Sequence, residues 1–250
     1  MNLQKLRQEQ EALARKVLIS DSLDEIKFIG GCDQAYAGSK IISSVIVLDA
    51  KTLEMVESAT AVRECEFPYI PGYLSYRESP ALLEAFAKLT TKPDVLLCDG
   101  NGILHPRRFG LACHVGIMLD IPTIGVAKSA LFGEKQGDTV VVEKEVRGKE
   151  FFTHKYAKPI YLSPGHKINL QSAIEIVKSA IKPPHKLPEP LHLAHKHADK
   201  IREKIAAEQK VNVEPSVKVE KTESVIGEPA AEISAEREVE VTVEKEDCHG

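Results

Sequence analysis

The sequence predicts an α/β protein with a mixed sheet, in which three antiparallel strands are followed by helix–strand units and flanked by helices. Two observations carry this prediction. Three apolar stretches, 28–33, 41–49 and 55–63, follow one another with only short connections, which is typical of an antiparallel meander. Two later apolar runs, 95–98 and 122–127, are separated by residues with helical spacing, as in helix–strand units.

The composition of the 250-residue chain predicts one domain, residues 1–207, and a disordered acidic tail, residues 208–250. The tail carries 12 acidic and 5 basic residues, which leaves the first 207 residues with a net charge of +3. That charge is compatible with nucleic acid but does not form a basic stripe. Five cysteines without a Cys-x-x-Cys pair or a secretory leader indicate reduced thiols in a cytoplasmic protein. No apolar run reaches the ~20 residues that cross a bilayer, so no membrane partner is expected.

The chain begins with an amphipathic helix over residues 2–19, to which we assign no chemistry. The first strand of the meander then ends at Asp33, and the later strand 95–98 is followed by Asp99. Side-chain alternation places Asp33 and Asp99 on the same face of the sheet. If the strands are neighbours, the aspartates converge, and their repulsion requires a cation or a shared proton. Alternatively, each aspartate only begins a loop.

A proline-rich segment follows the third strand. Pro68 and Pro71 bracket Tyr69 and Ile70, and Gly72 follows. The prolines stiffen an extended backbone that presents the tyrosine at low entropic cost, which suits a wedge or a stacking platform. The alternative is a tyrosine packed on the protein surface.

Two proline-containing signals predict where the next helices begin. Ser79 and Pro80 suit the N-cap and first position of a helix, which would place Glu78 just before it. Pro106 suits the first turn of another helix, with Arg107 and Arg108 in the same turn. Because a helix N-terminus is already partly positive, two arginines there favour a bound phosphate. The alternative is two solvated arginines.

The remaining elements add one strand, one hairpin and two helices. The strand 122–127 delivers Lys128 to its carboxyl end, where a lysine can contact a phosphate or balance carboxylates, although solvated lysines are common. The pattern predicts a hairpin that turns at residues 147–148, then a helix over 169–181. A final helix over 191–207 carries a histidine cluster, which is a candidate for metal binding. Its members are His192, His195 and His197.

Several motifs together resemble those of the endonuclease V family, deoxyinosine-directed nucleases with a ribonuclease H-like fold. The resemblance covers residues from about 30 to 198. The matching blocks are Gly30-Gly-Cys-Asp-Gln-Ala-Tyr36, Phe67-Pro-Tyr-Ile-Pro-Gly-Tyr-Leu-Ser-Tyr-Arg-Glu78, Asp99-Gly-Asn-Gly-Ile-Leu-His-Pro-Arg-Arg-Phe-Gly110, Ile124-Gly-Val-Ala-Lys-Ser129, Ser163-Pro-Gly-His166 and Leu187-Pro-Glu-Pro190.

The resemblance implies a catalytic site. Asp33, Glu78 and Asp99 would hold Mg²⁺, for which Mn²⁺ can substitute. Lys128 matches a lysine near the scissile phosphate, and His195 matches a position near the metals.

The resemblance also implies a nucleic-acid site. Tyr69 would head a wedge between bases, His105 would support the site, and backbone groups at Leu74 and Gly100 would hold the deaminated base. The full set of predicted nucleic-acid-binding residues is Pro68, Tyr69, Ile70, Pro71, Gly72, Leu74, Gly100, His105, Arg107 and Arg108.

These expectations define a metal-dependent endonuclease that recognises inosine and hydrolyses the second phosphodiester bond 3′ to it in DNA repair. Inosine-containing RNA stays open as a substrate, because no residue in the pattern reads a 2′-hydroxyl. The alternatives are a non-catalytic inosine-binding module and a junction or RNA nuclease of the same fold. We expect a monomer and assign no partner to the acidic tail.

Overall fold

The computed structural model describes residues 1–23, 25–130 and 132–211. Its central feature is one mixed sheet, which confirms the predicted α/β class. Within the described residues the strands are β1 (Phe28–Ala37), β2 (Lys40–Asp49), β3 (Met55–Glu64), β4 (Val95–Asp99), β5 (Thr123–Ala127), β6 (Glu134–Gln136), β7 (Thr139–Val142), β8 (Glu145–Phe151) and β9 (Ile160–His166). They lie side by side in the order β3-β2-β1-β4-β5-β9-β8-β7-β6.

The strand directions follow from the lengths of the connections. Short turns join β1, β2 and β3, which therefore pair antiparallel as the predicted meander. Longer connections through helices allow β4 to run parallel to β1, and β5 parallel to β4. The carboxyl ends of β1, β4 and β5 thus meet at one edge of the sheet.

Helices cover both faces of this sheet. The described helices are α1 (Leu3–Ala14), α2 (Leu74–Ala87), α3 (Leu111–Leu119), α4 (Leu170–Ser179) and α5 (Glu189–Val211). One apolar core joins α2 and α3 to the face that bears Cys32 and Cys98. The other joins α4 and α5 to the opposite face, which bears Ile29 and Leu97. The sheet is therefore the middle of three layers, and its apolar strands are buried on both sides.

Helix α2 begins six residues earlier than predicted. Ser79 and Pro80 are not its N-cap and first residue, because the helix already starts at Leu74 and passes through Pro80. Proline in a helix interior leaves one backbone carbonyl without its partner, yet Ser79 and Leu82 on either side are buried against the sheet. Tertiary packing thus extends the helix past a residue that usually begins one. Glu78 consequently lies inside α2.

Helix α3 begins five residues later than predicted. Arg107 and Arg108 therefore lie in a loop, and the prediction that they occupy the first helical turn was wrong. The backbone of Arg108 has a left-handed φ of 54°, which interrupts a helix at this point. Gly110 is the N-cap instead, and it lies so close to Asn101 that an added Cβ would be 2.2 Å from the Asn101 carbonyl oxygen.

Two further boundaries differ from the prediction. The hairpin of β7 and β8 turns at Glu143 and Lys144, both with positive φ, rather than at residues 147–148. Helix α5 continues to Val211, four residues beyond the predicted end of the domain. The rest of the predicted acidic tail, residues 212–250, lies outside the described residues.

Candidate active site

The two predicted aspartates meet at the carboxyl edge of the sheet. Cys32 of β1 pairs with Cys98 of β4, so the next residues, Asp33 and Asp99, lie on adjacent parallel strands. The convergence predicted from strand alternation is therefore confirmed. Asp33 is only 6% exposed. Its burial, together with the negative charge of Asp99, raises the pKa of Asp33 to about 6.

Helix α5 brings a histidine to Asp33 from far along the chain. The Nδ1 atom of His195 lies 2.6 Å from Asp33 Oδ2, and its Nε2 atom lies 3.4 Å from Asp199 Oδ2. The helix can approach because Gly31 has no side chain: an added Cβ would lie 2.3 Å from the carbonyl carbon of Pro190. The three predicted histidines do not form one cluster. His192 stacks on His185, and His197 lies 2.9 Å from Ser44 Oγ.

A lysine at the end of β5 pairs with the second aspartate. The Nζ atom of Lys128 donates to Asp99 Oδ2 at 2.7 Å. Burial lowers the pKa of Lys128, but the hydrogen bond and charge of Asp99 outweigh that effect, and the net result is a raised pKa. The lysine side chain is half exposed, so its ammonium group is accessible to an arriving anion.

Glu78 completes the acidic group from the opposite side. It is buried in α2, and burial raises its pKa to about 7. A hydrogen bond from Tyr36 opposes this shift, whereas the charges of Asp33 and Asp99 add to it. The Tyr36 hydroxyl donates to Glu78 Oε1 at 2.9 Å. Sequence reasoning missed this contact, because Tyr36 lies in a matching motif but carries no local sign of its role.

The donor set of Asp33, Glu78 and Asp99 fits a hard divalent cation. The charge of Asp99 raises the pKa of Asp33, and the charges of Asp33 and Asp99 raise the pKa of Glu78; a cation with oxygen ligands would remove that conflict. Across the described ranges, no three His, Cys, Asp or Glu side chains have the spacing to hold a metal ion as they stand. In this arrangement Lys128 forms an ion pair with Asp99, and His195 contacts Asp33 instead.

The predicted wedge lies on an exposed loop beside the carboxylates. We call residues 67–73 the tyrosine loop. Tyr69 is 67% exposed, whereas Gly72 at the base of the loop has a φ of +80°. The Gly72 carbonyl oxygen accepts hydrogen bonds from Gln10 and Arg107 and lies 3.1 Å from His105 Nε2. The tip is therefore free, while its base is held firmly.

His105 contributes to this base as a neutral side chain. Burial and then the charge of Arg107 lower its pKa to about 4. Its Nδ1 atom accepts from the backbone N–H of Arg107 at 3.2 Å, which leaves the proton on Nε2 to be donated to Gly72. His105 thus supports the loop from behind.

Both predicted arginines have protein partners. The Arg107 guanidinium lies 4.4 Å from the centre of the Tyr73 ring and donates to Gln10 and Gly72. Arg108 forms a two-pronged ion pair with Glu145, with its Nη2 atom 2.9 Å from Oε1. Their role in binding nucleic acid stays a prediction.

A small pocket lies between the tyrosine loop and the loop after β4. Its cavity volume is about 50 Å³, and Leu74 lines it as the resemblance implied. Gly100 is not among its lining residues, but the next residue, Asn101, is. Two buried polar atoms, Ser75 Oγ and Asn101 Oδ1, have no hydrogen-bond partner among the described residues. Such atoms favour a polar ligand in the pocket.

The first strands have the order 3-2-1-4-5. One carboxylate, Asp33, lies inside β1 just after its pairing with β4 ends, and Asp99 lies at the end of β4. This arrangement defines a ribonuclease H-like nuclease. Comparison with known proteins identifies the family within this class of nucleases. A family model described as Endonuclease V matches residues 11–196. The chain belongs to the endonuclease V family.

Individual relatives agree with this assignment. Endonuclease V of Dictyoglomus turgidum is 42% identical over 201 residues, which are 77% of this chain and 87% of the relative. The crystal structure of the Bacillus subtilis family member has a TM-score of 0.78 and 33% identity, and covers 83% of this chain and 95% of that one. A Ciona intestinalis Endonuclease V, crystallised with a 24mer DNA containing an inosine followed by a ribo-adenosine, has a TM-score of 0.74 and 31% identity, with coverage of 81% and 98%.

Within the described residues no helix is long and apolar enough to cross a membrane. Cys32, Cys65, Cys98 and Cys113 are free thiols.

Proposed function

We propose that this chain is a metal-dependent endonuclease that recognises inosine in DNA and hydrolyses the second phosphodiester bond 3′ to it. The observation that carries the proposal is the convergence of Asp33, Glu78 and Asp99 beside an exposed tyrosine loop. The Ciona intestinalis relative with inosine-containing DNA supports the choice of lesion. Inosine-containing RNA is the second candidate substrate, and the chain is proposed to act as a monomer.

The three carboxylates would hold Mg²⁺, or Mn²⁺ in its place. A bound divalent cation supplies Lewis-acid chemistry, which activates water for attack on phosphorus and stabilises the leaving oxygen. His195 orients the carboxylate of Asp33 through the 2.6 Å contact. Lys128 can exchange its contact with Asp99 for a non-bridging phosphate oxygen when the backbone of the substrate arrives.

Recognition is proposed to begin at Tyr69. The exposed ring would enter the duplex beside the lesion, and the weakly paired inosine would swing out at low cost. The pocket beside Leu74 would then receive part of the base. The buried, unpaired oxygens of Ser75 and Asn101 offer it hydrogen bonds.

The test is cleavage of end-labelled duplexes, one DNA and one RNA, each with a single inosine and a matched inosine-free control. We expect nicking at the second bond 3′ to inosine with Mg²⁺, none with EDTA, and none by an Asp99→Ala protein. Retained nicking by Asp99→Ala, purified free of other nucleases, would overturn the proposal. Inosine-selective binding without any cleavage would instead support the non-catalytic module.

A further inference from the structure

A chain of side-chain contacts links Glu78 to the tyrosine loop. The Tyr36 hydroxyl donates to Glu78 Oε1 at 2.9 Å and accepts from Arg77 Nε at 3.1 Å. Arg77 also donates through Nη1 to the carbonyl oxygen of Phe67, the first residue of the tyrosine loop. The Arg77 guanidinium carbon lies 4.6 Å from the centre of the Tyr36 ring.

The direction of these hydrogen bonds is fixed when Glu78 is ionised, as a cation ligand must be. An arginine side chain can only donate, and an ionised carboxylate can only accept. The Tyr36 hydroxyl between them must therefore accept from Arg77 and donate to Glu78. The hydroxyl then has a single donor and acceptor arrangement, and its hydrogen bond holds one oxygen of Glu78 in a defined position.

The contacts connect three parts of the molecule. Tyr36 lies on β1, three residues beyond Asp33, while Arg77 and Glu78 are neighbours on α2. Phe67 lies two residues before Tyr69, so Arg77 holds the loop near the root of the exposed ring. The Phe67 ring also stacks on Tyr76 of α2, with ring centres 5.9 Å apart.

We propose that Tyr36 is a positioning residue that orients Glu78 toward the cation site, and that Arg77 makes this orientation depend on the tyrosine loop. This inference rests on the proposed function, because it takes Glu78 as a cation ligand. Tyr36 touches neither substrate nor phosphate in this role. It holds Oε1 so that the carboxylate faces Asp33 and Asp99 instead of adopting other rotamers.

The experiment compares two tyrosine-to-phenylalanine variants that each lose one hydroxyl bonded to a glutamate. Tyr36→Phe removes the contact with Glu78 and keeps the ring under Arg77. Tyr161→Phe is the matched control, since the hydroxyl of Tyr161 on β9 donates to Oε1 of Glu150 on β8 at 3.0 Å. Mn²⁺ binding to each DNA-free protein is measured by electron paramagnetic resonance. Binding of an inosine duplex is measured by anisotropy in EDTA.

We expect Tyr36→Phe to bind Mn²⁺ about tenfold more weakly, as for the loss of one charge-assisted hydrogen bond. It should bind the inosine duplex like the wild type, and its cleavage should show a lower kcat with an unchanged KM. Tyr161→Phe should match the wild type in every measurement. Arg77→Lys loses the guanidinium group that donates to both Tyr36 and Phe67, and it should weaken both Mn²⁺ binding and duplex binding.

The outcomes separate this inference from the proposed function. If the wild type nicks the inosine duplex but Tyr36→Phe behaves like Tyr161→Phe, the positioning role is wrong and the nuclease assignment stands. If Arg77→Lys changes only Mn²⁺ binding, the link to the loop is wrong. A wild type without metal-dependent nicking would overturn the proposed function itself.

Discussion

Removal of the Tyr69 ring tests the wedge directly, and the structure gives its expected size. Tyr69 is 67% exposed, so folding does not depend on its burial. An aromatic side chain can bury about 200 Å², of which two thirds, about 130 Å², remains available to a duplex. At about 25 cal/mol per Å² this area corresponds to about 3 kcal/mol, the upper end of the ~1–3 kcal/mol measured for stacking of one base. Because ordering of the loop offsets part of it, we expect Tyr69→Ala to lose about 2 kcal/mol, or about 30-fold in Kd.

The assay is fluorescence anisotropy of an inosine duplex and an inosine-free duplex in EDTA, so that no cleavage interferes. Tyr156→Ala is the matched control, because Tyr156 is 87% exposed and lies outside the carboxylate site and the tyrosine loop. Tyr69→Phe keeps the ring and should retain most of the affinity. Mn²⁺ binding should be unchanged in all three variants. Equal discrimination between the two duplexes by Tyr69→Ala and the wild type would refute the wedge.

Three other predictions concern the arginine that supports the tyrosine loop, a buried histidine and the acidic tail. Arg107→Ala should lower duplex affinity by loosening the loop, yet leave the slope of log K against log salt unchanged; a decrease of ~0.9 in that slope would show a phosphate contact instead. Burial lowers the pKa of His114 from 6.5 to about 4, so the folded state binds fewer protons than the unfolded state as the pH falls through this window. Denaturant titrations at about pH 7 and about pH 4.5 should therefore show a larger fall in the free energy of unfolding for the wild type than for His114→Phe. The difference between the two falls should be about 2 kcal/mol. Deletion of residues 209–250 should leave the nicking rate unchanged, and a large loss of activity would show that the acidic segment contributes.

The meeting of Asp33 and Asp99 could be predicted because it depends on local rules. Alternation along a strand fixes the face of each side chain, and parallel strands present their carboxyl ends at the same edge. Glu78 and His195 could not be placed this way. They reach the site from α2 and α5 through the packing of helices on the sheet. The residue pattern offered His195 only as one of three helix histidines, and only the family resemblance assigned either residue to the site.

The helix boundaries were mispredicted for a related reason. Pro80 and Pro106 both carry the local signal of a first helical turn, but neither begins a helix. At Pro80 the burial of neighbouring side chains outweighs the lost hydrogen bond. At Pro106 the left-handed Arg108 and the close contact of Gly110 with Asn101 delay the helix. Arg107 consequently turns back onto Tyr73, a contact that no sequence spacing predicts.

The dependence of the site on α5 explains why one part of the C-terminal region should matter and another should not. Asp33 is buried, and its partner His195 is 162 positions away in the sequence. Docking of α5 requires the bare backbone of Gly31 beneath Pro190, and the apolar side chains of Ile201 and Ile205 pack against the sheet farther along the same helix. A chain that ended before His195 would leave the buried Asp33 beside Asp99 without this side-chain partner, and the repulsion between the two carboxylates would then oppose folding of this edge. Residues from 209 onward follow these contacting residues in the sequence. The proposed catalytic unit therefore includes α5 as far as its packed residues.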